Sequence, residues 1–244
     1  MNDLDRLRTE YARREKQLAG DDRYSPSNPA HRFMKSQLRK NVAGTLARAG
    51  VSDLASLRLL EVGCGNGNVL ADFQALGARE NRLFGIDLLP ARLNQARASY
   101  PSFPLVNADG QSMPFANASF DLIIQFTAFS SILDDRVKRN VAHDMLRVLQ
   151  PSGLILWYDF FFNPVNPQTR GIRLAEIRRL FPECRFDVQR VTLAPPITRA
   201  LASGSWKLCL FLESLKIFNT HHLVTIRPHT VVQANISFGF LVSP

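Results

Sequence analysis

Cysteine is scarce in this chain of 244 residues, and the three cysteines present, Cys64, Cys184 and Cys209, lie far apart. An odd number of widely spaced cysteines forms neither a disulfide framework nor the closely spaced ligand set of a zinc site. The sequence has no cluster of carboxylates that would hold another metal. We therefore expect no metal cofactor and a reduced, cytoplasmic setting.

Long hydrophobic runs are also missing. No stretch approaches the roughly 20 apolar residues that cross a bilayer, and the first 18 residues are too polar and charged for a signal peptide. The most apolar segment, Trp206–Phe218, is interrupted by Lys207, Glu213 and Lys216. Two alternatives remain open for this segment: packing on the rest of the protein, or peripheral contact with a membrane surface.

Acidic residues are too few to balance the basic ones, which leaves a net charge of +9. Nucleic acid, an anionic membrane or a phosphorylated substrate would each suit this charge, and so would an ordinary solvated basic surface. The basic residues are spread along the chain, and no added RNA-binding region accompanies them. Nucleic acid is therefore the disfavoured partner. The sequence leaves the oligomeric state open.

The stretch Leu59–Val69, LLEVGCGNGNV, is the strongest local signal. Apolar residues lead to Glu61, glycines follow at alternate positions (Gly63, Gly65 and Gly67), and a helical apolar pattern begins after them. This pattern predicts a buried strand, a sharp turn and a helix N-terminus. Glycine lets the backbone adopt positive φ or contact a ligand closely, and the helix N-terminus offers unpaired N–H groups. The turn therefore predicts a site for a small polar ligand.

The spacing of the glycines, E-x-G-x-G-x-G, differs from the G-x-G-x-x-G of a dinucleotide site and disfavours NAD-dependent oxidoreduction. It resembles motif I of the class I S-adenosylmethionine-dependent methyltransferases. Two later stretches are similar to that family, MPFANASFD at 113–121 and LRVLQPSG at 146–153. The segment Arg13–Pro29 resembles a bacterial subgroup, akin to methyltransferase type 11, that is weakly linked with glycan-modifying enzymes. The resemblance spans about residues 58–227 and implies S-adenosyl-L-methionine as the cofactor.

Two acidic residues end the next two predicted strands. Asp87 follows Gly63 by 24 residues, where a carboxylate can accept hydrogen bonds from both ribose hydroxyls. The resemblance implies that Asp109 receives the adenine amino group, with Gly110 beside the ring, and that Phe126 lies next to the sulfonium. The remaining cofactor-binding residues that we predict belong to the glycine turn or follow Asp87: Glu61, Gly63, Cys64, Gly65 and Leu88.

Alternating strands and helices predict an α/β fold, a doubly wound Rossmann-like sheet flanked by helices. The resemblance implies seven strands, six parallel and one antiparallel. Residues 1–50 form a predicted N-terminal helical cap, and residues 51–228 form the methyltransferase domain with an insertion at 195–220, for which one helix is expected at about 205–218. Residues 229–244 are a tail without an assigned role. Four residues of the cap either close the site or only cap the leading helices: Tyr11, Arg14, Tyr24 and Asn28.

A general base would be needed if the acceptor is a hydroxyl. The antiparallel seventh strand begins at the edge where the parallel strands end, which brings His221 and His222 close to Asp159. One of these histidines could take the proton, oriented by Asp159; we favour His221. The alternative is that both histidines only terminate a strand.

The acceptor is the least determined part of the site. A sugar or phosphosugar hydroxyl on a glycan precursor suits the basic charge and the polar loop residues Asn163, Asn166 and Arg170. A quinone or another aromatic metabolite suits the aromatic residues that follow the fifth strand, Phe160 to Phe162. We predict O-methylation of a small molecule or glycan precursor. RNA methylation and a non-catalytic scaffold with the same fold are the alternatives.

Overall fold

The computed structural model describes residues 6, 9, 10, 13, 22–162 and 168–229, and only the backbone of Tyr24. The described residues among 6–13 are helical. Several predictions fall outside the described residues: the cap residues Tyr11 and Arg14 and the side chain of Tyr24, the acceptor residues Asn163 and Asn166, and the tail from residue 230 onward. Asn28 caps a helix, because its Oδ1 accepts from the backbone N–H groups of Ala30 and His31 at 3.0 and 3.1 Å.

One sheet of seven strands organises the described chain, in the order β3-β2-β1-β4-β5-β7-β6. The strands are β1 (Leu59–Val62), β2 (Leu83–Asp87), β3 (Leu105–Asn107), β4 (Phe120–Phe126), β5 (Leu149–Phe160), β6 (Cys184–Leu193) and β7 (Asn219–Pro228). The helices are α1 (Pro29–Arg48), α2 (Asn68–Ala75), α3 (Pro90–Ser99), α4 (Asp135–Val148), α5 (Leu174–Leu180), α6 (Pro195–Leu201) and α7 (Trp206–Ser214).

The direction of the strands confirms the predicted sheet. β1 pairs in parallel with β2 and β4, β2 with β3, and β4 with β5. β7 runs antiparallel to both of its neighbours, β5 and β6. The sheet therefore has six parallel strands and one antiparallel strand. Since the parallel strands share one direction, their carboxyl ends meet at one edge, where the start of β7 also lies.

Helices cover both faces of the sheet and bury a core on each. Leu46 of α1, Phe73 of α2 and Leu93 of α3 belong to one core. Met145 of α4 and Ile177 of α5 belong to the other. The central strands are buried on both faces and read as near-continuous apolar runs, which is the pattern of a doubly wound sheet.

The insertion between β6 and β7 contains two helices rather than the single one predicted. Pro195 and Pro196 begin α6, where a missing backbone N–H costs nothing. The second helix, α7, begins at the cap Ser205, whose Oγ accepts from the Leu208 N–H at 3.2 Å. It ends at Ser214, earlier than expected. Both helices join a third apolar cluster with the start of α1, through residues that include Phe33 and Cys209.

Candidate functional site

The glycine turn after β1 folds as the spacing predicts. Gly63, Gly65 and Gly67 have φ values of +76°, +52° and +79°, which side chains with a Cβ rarely adopt. The backbone N–H groups of Gly63 and Cys64 both donate to Ile86 O of β2 at 2.9 Å. A Cβ on Gly63 would lie 2.7 Å from the Ala128 Cβ. The turn is therefore fixed against β2 and closely approached by the segment after β4.

Asp87 ends β2 and joins the glycine turn to the start of α3. Its Oδ2 accepts from the Gly65 N–H and its Oδ1 accepts from the Leu89 N–H, each at 2.8 Å. The side chain is buried. These two bonds fix the carboxylate, and each oxygen keeps a lone pair for a further donor.

Asp109 lies after β3 and is held by a local turn. Its Oδ1 accepts from the Gln111 N–H at 2.9 Å, and its Oδ2 accepts from the Gln111 side-chain amide at 3.0 Å. Asn140 of α4 donates in turn to Gln111 Oε1 at 2.9 Å. A Cβ on Gly110 would lie 3.3 Å from a methyl group of Val141. Helix α4 therefore supports this corner of the site.

One cavity of about 310 Å³ brings these strand ends together. Eight of the nine predicted cofactor-binding residues line it: Glu61, Gly63, Cys64, Asp87, Leu88, Asp109, Gly110 and Phe126. The ninth, Gly65, is not in the lining, but its backbone N–H donates to Asp87, which is. Whether these residues bind a cofactor stays a prediction, but the structure places them around a single space.

Glu61 is buried in the cavity wall, and its Oε2 accepts no hydrogen bond in the structure. Burial raises the pKa of Glu61 well above its ordinary value, the charge of Asp87 raises it further, and Arg92 acts in the opposite direction. Among the described residues that line the cavity, three carry carboxyl groups (Glu61, Asp87 and Asp109) and one carries a guanidinium (Arg92). The site therefore suits a ligand that brings positive charge and hydrogen-bond donors.

Arg92 is a cavity residue that the sequence did not single out. Its guanidinium lies over the glycine turn, so that a Cβ on Gly65 would stand 2.3 Å from Arg92 Nη2. It comes two residues after Pro90, in the first turn of α3. The sequence alone predicts an ordinary surface position for such a basic residue, because it does not reveal that the first turn of α3 lies beside the glycine turn.

The far end of the cavity is apolar and comes from β4 and the elements after it. Phe126, Phe129, Ile132, Val137 and Val141 line this end. Thr127, also in the lining, has a φ of +58°. A β-branched residue in this conformation is strained, and such strain is concentrated at functional sites. The sequence analysis indicated Phe126 here, whereas the contribution of α4 was missed.

Asp159 and His221 do not form the predicted pair. In the antiparallel register, Asp159 lies opposite His222 and Phe160 lies opposite His221, so Asp159 and His221 point to opposite faces of the sheet. Asp159 accepts from the Ser130 N–H at 3.1 Å and from Gln125 Nε2 at 3.3 Å. Burial raises the pKa of Asp159 to about 7. Its contacts join β4 to β5 rather than orienting His221.

His221 stacks on Tyr158, with ring centroids 4.8 Å apart, and its Nδ1 lies 3.0 Å from Thr220 Oγ1. Tyr158 in turn packs on Phe126 at 5.2 Å, so two aromatic rings separate His221 from the cavity. Burial, and then the neighbouring His222, lower the pKa of His221 to about 3. The ring is therefore neutral near pH 7. Its role as a base stays a prediction.

The N-terminal segment reaches the cavity through Arg6. The guanidinium of Arg6 donates to Ser131 O at 2.6 Å and to Gln168 O at 3.3 Å, and Ser131 lines the cavity. A leading segment therefore lies at the functional edge, where the cap was expected, although the contact comes from a residue other than the predicted ones.

A second, basic cavity of about 630 Å³ lies on the other side of the first turns of α4. Five basic residues line it: Lys138, Arg139, Arg170, Arg173 and Arg179. Lys138 is buried and donates to Glu176 Oε1 at 2.7 Å, and Arg170 pairs with Asp135 and Glu176. Among the described residues, no set of three or more His, Cys, Asp or Glu side chains is placed to hold a metal ion.

The strand order, the glycine turn and the two acidic strand ends around one cavity give the domain the Rossmann-like fold of the class I S-adenosylmethionine-dependent methyltransferases. Residues 59–153 match the family described as methyltransferase domain, which confirms the resemblance seen in the glycine motif. The PH0226 protein from Pyrococcus horikoshii has the same fold, with a TM-score of 0.57 and 14% identity over 88% of this chain and 99% of that one.

Two curated relatives are similar over part of their length. A probable S-adenosylmethionine-dependent methyltransferase of Mycolicibacterium smegmatis is 29% identical over 140 residues, which is 54% of this chain and 52% of the relative. The phthiotriol/phenolphthiotriol dimycocerosates methyltransferase of Mycobacterium leprae is 34% identical over 109 residues, 44% of this chain and 39% of the relative. The matched part thus spans about half or less of these relatives.

The family and the fold imply S-adenosylmethionine as the cofactor, and the residues present fit it. The buried Glu61 Oε2 lacks a donor, and this cofactor carries an ammonium, a sulfonium and several hydroxyl and amino donors. The acidic balance of the cavity suits its net positive charge.

Proposed function

We propose that this chain transfers a methyl group from S-adenosylmethionine to a small-molecule acceptor. The observation that carries the proposal is the convergence of Glu61, Asp87 and Asp109 on one cavity beside the glycine turn. When bound, the cofactor supplies an activated methyl group on its sulfonium. The residues of the chain hold that group in place and bring a nucleophile into line with it.

Each cavity residue is assigned a role from its position. Asp87 holds ribose hydroxyls, Asp109 receives the adenine amino group, and Glu61 takes a donor at its unpartnered oxygen. The apolar end of the cavity, with Phe126 and Phe129, excludes water from the transfer. If the acceptor is a hydroxyl, His221 stays the predicted base, because its ring is neutral near pH 7. Since Tyr158 and Phe126 lie between His221 and the cavity, the proton would have to reach it through an intervening group.

An apolar acceptor is the first candidate. Its support is the apolar end of the cavity at β4 and α4 and the name of the Mycobacterium leprae relative, which acts on phthiotriol and phenolphthiotriol dimycocerosates. The quinone or aromatic acceptor considered from the sequence belongs to this class. The matched relatives include both O- and C-methyltransferases, so their names do not choose the accepting atom.

A phosphorylated glycan precursor is the second candidate, and the basic cavity beside α4 supports it. Arg139, Arg173 and Arg179 line that cavity together with Phe161, and arginine binds phosphate through its planar fork of donors. O-methylation of a sugar hydroxyl, as predicted from the sequence, would use this cavity to anchor the phosphate.

The test is a transfer assay with S-adenosylmethionine labelled in the methyl group, run over matched panels of phenols, quinones and sugar phosphates. Labelled phenol or quinone product supports the first candidate. Labelled sugar phosphate product that disappears in Arg173→Gln supports the second. Cofactor binding without transfer to either panel would contradict both acceptor classes, and absence of cofactor binding would contradict the function itself.

A further inference from the structure

Helix α7 buries its acidic residue and exposes its large apolar ones, the reverse of an ordinary surface helix. Glu213 is 5% exposed and Cys209 is fully buried, whereas Phe211 is 59% exposed. Seven of the eight large hydrophobic side chains that are exposed in the described chain lie within residues 206–218, which we call the apolar ridge: Trp206, Leu208, Leu210, Phe211, Leu215, Ile217 and Phe218. A concentration of this kind marks an interaction surface.

The apolar ridge is held rigidly from behind. Glu213 Oε1 accepts from the Thr192 N–H of β6 at 3.2 Å, and Trp206 packs edge-on against Phe33 of α1 at 5.5 Å. Asn219 donates to Glu213 O at 3.1 Å and so fixes the turn that follows α7. The outward side chains are therefore presented by a fixed framework.

Charge identifies the partner of the apolar ridge. Lys207 and Lys216 lie at its two ends, and Arg199 is on the preceding helix. Between residues 194 and 218 the sole acidic residue is Glu213, which is buried. Two copies of this face would bring like charges together, and the net charge of +9 adds to that repulsion. An anionic lipid surface accepts both the apolar side chains and the cations.

The ridge is also connected to the cofactor cavity. Thr192, which donates to Glu213, lies 2.9 Å from the Tyr158 hydroxyl through its Oγ1. The Tyr158 ring packs on Phe126, a residue of the cavity wall. The ridge and the cavity therefore lie at the same edge of the sheet, where a lipid-embedded molecule could reach the site.

We propose that the apolar ridge docks this protein on an anionic membrane surface. Leu210, Phe211 and Ile217 enter the interface between headgroups and acyl chains, while Lys207 and Lys216 contact anionic headgroups. This proposal rests on the apolar ridge alone and does not depend on which acceptor is methylated.

Flotation with lipid vesicles tests the proposal on the full chain. Vesicles of phosphatidylcholine alone and of phosphatidylcholine with phosphatidylglycerol are compared for the wild-type protein and for Phe211→Asp/Ile217→Asp. We expect binding to the anionic vesicles, weakened by salt, and a loss of about tenfold or more in the double variant. Phe162→Asp is the matched control, because Phe162 is 63% exposed but lies outside the ridge; its binding should equal that of the wild type.

Three results would overturn the proposal. The first is no binding of the wild type to anionic vesicles, and the second is equal binding of the double variant. The third is a wild-type dimer in light scattering that the double variant abolishes while vesicles bind neither protein, which would assign the ridge to a second copy. Calorimetry of S-adenosylmethionine binding on the same samples separates a failure of docking from a failure of the proposed function, since both substituted residues lie outside the cavity.

Discussion

Replacing Asp87 by asparagine should weaken both the fold and the cofactor site, by amounts that the geometry sets. Asp87 is buried and accepts two backbone N–H groups, from Gly65 and Leu89, at 2.8 Å each. Asparagine keeps the shape but offers one acceptor oxygen, so one buried N–H must face an NH₂ group. A buried donor left without a partner costs about 1–3 kcal/mol. The expected fall in Tm is therefore roughly 2–12 °C for a domain of this size.

The effect on cofactor affinity should be of similar size. A hydrogen bond to a charged acceptor contributes about 1.5–3 kcal/mol, so the loss of one such bond to ribose lowers affinity by roughly tenfold to a hundredfold. Titration calorimetry with S-adenosylhomocysteine measures this. Asp121→Asn is the matched control: its Oδ2 accepts the Arg58 N–H at 2.8 Å at the start of β4, away from the cavity. Equal affinity of wild type and Asp87→Asn would refute the ribose assignment.

Three further predictions follow from single residues. Gly65→Val should abolish cofactor binding in calorimetry, because a β-branched residue is strained at a φ of +52° beside Asp87. The control is Gly50→Val, which has a φ of +78° and nothing near its Cβ; it carries the backbone strain alone and should bind the cofactor normally. Normal binding by both variants would contradict the assignment of the cofactor site. His221→Ala should lower turnover far more than cofactor affinity, with His143→Ala as the control; turnover within a few-fold of wild type would exclude His221 as the base. Asp159→Asn should become more stable relative to the wild type as pH rises. In the wild type the raised pKa of Asp159, about 7, contributes stability that is complete below about pH 4 and lost as pH rises through 7. A Tm difference between the two proteins that does not change with pH would contradict this.

Much of the fold follows from local pattern. The apolar runs of β1 and β4 and the glycines after β1 identify a parallel sheet, because strands buried on both faces tolerate no polar alternation. The antiparallel β7 came from the resemblance to a family, since His221–Ile226 alone does not reveal its neighbours. In the insertion, the helix expected at about 205–218 corresponds to α7, whereas α6 was not predicted.

Site residues could be predicted where the local backbone requires a particular residue type. They could not be predicted where the position of a side chain depends on packing between distant elements. Asp87 and Gly65 follow from strand ends and turn geometry. Arg92 was missed because its position over Gly65 depends on how the start of α3 lies relative to the glycine turn. The pairing of Asp159 with His221 was wrong because the antiparallel register sets the two side chains on opposite faces, and register across two distant strands is not visible in either strand alone.

Membrane association would rest on the apolar ridge rather than on a spanning segment, since no described helix is long and apolar enough to cross a membrane. The inverted burial of α7, with Glu213 inside and Phe211 outside, was equally invisible in the sequence. It depends on Thr192 of β6 offering its N–H to Glu213.

The central claim is that the cavity at the ends of β1, β2 and β3 binds S-adenosylmethionine. Isothermal titration of the full chain with S-adenosylmethionine and S-adenosylhomocysteine, with NAD as the control, tests it most directly. The account predicts micromolar binding of the first two ligands and none of NAD. Absence of binding by both adenosyl ligands, in protein that is shown to be folded, would contradict it.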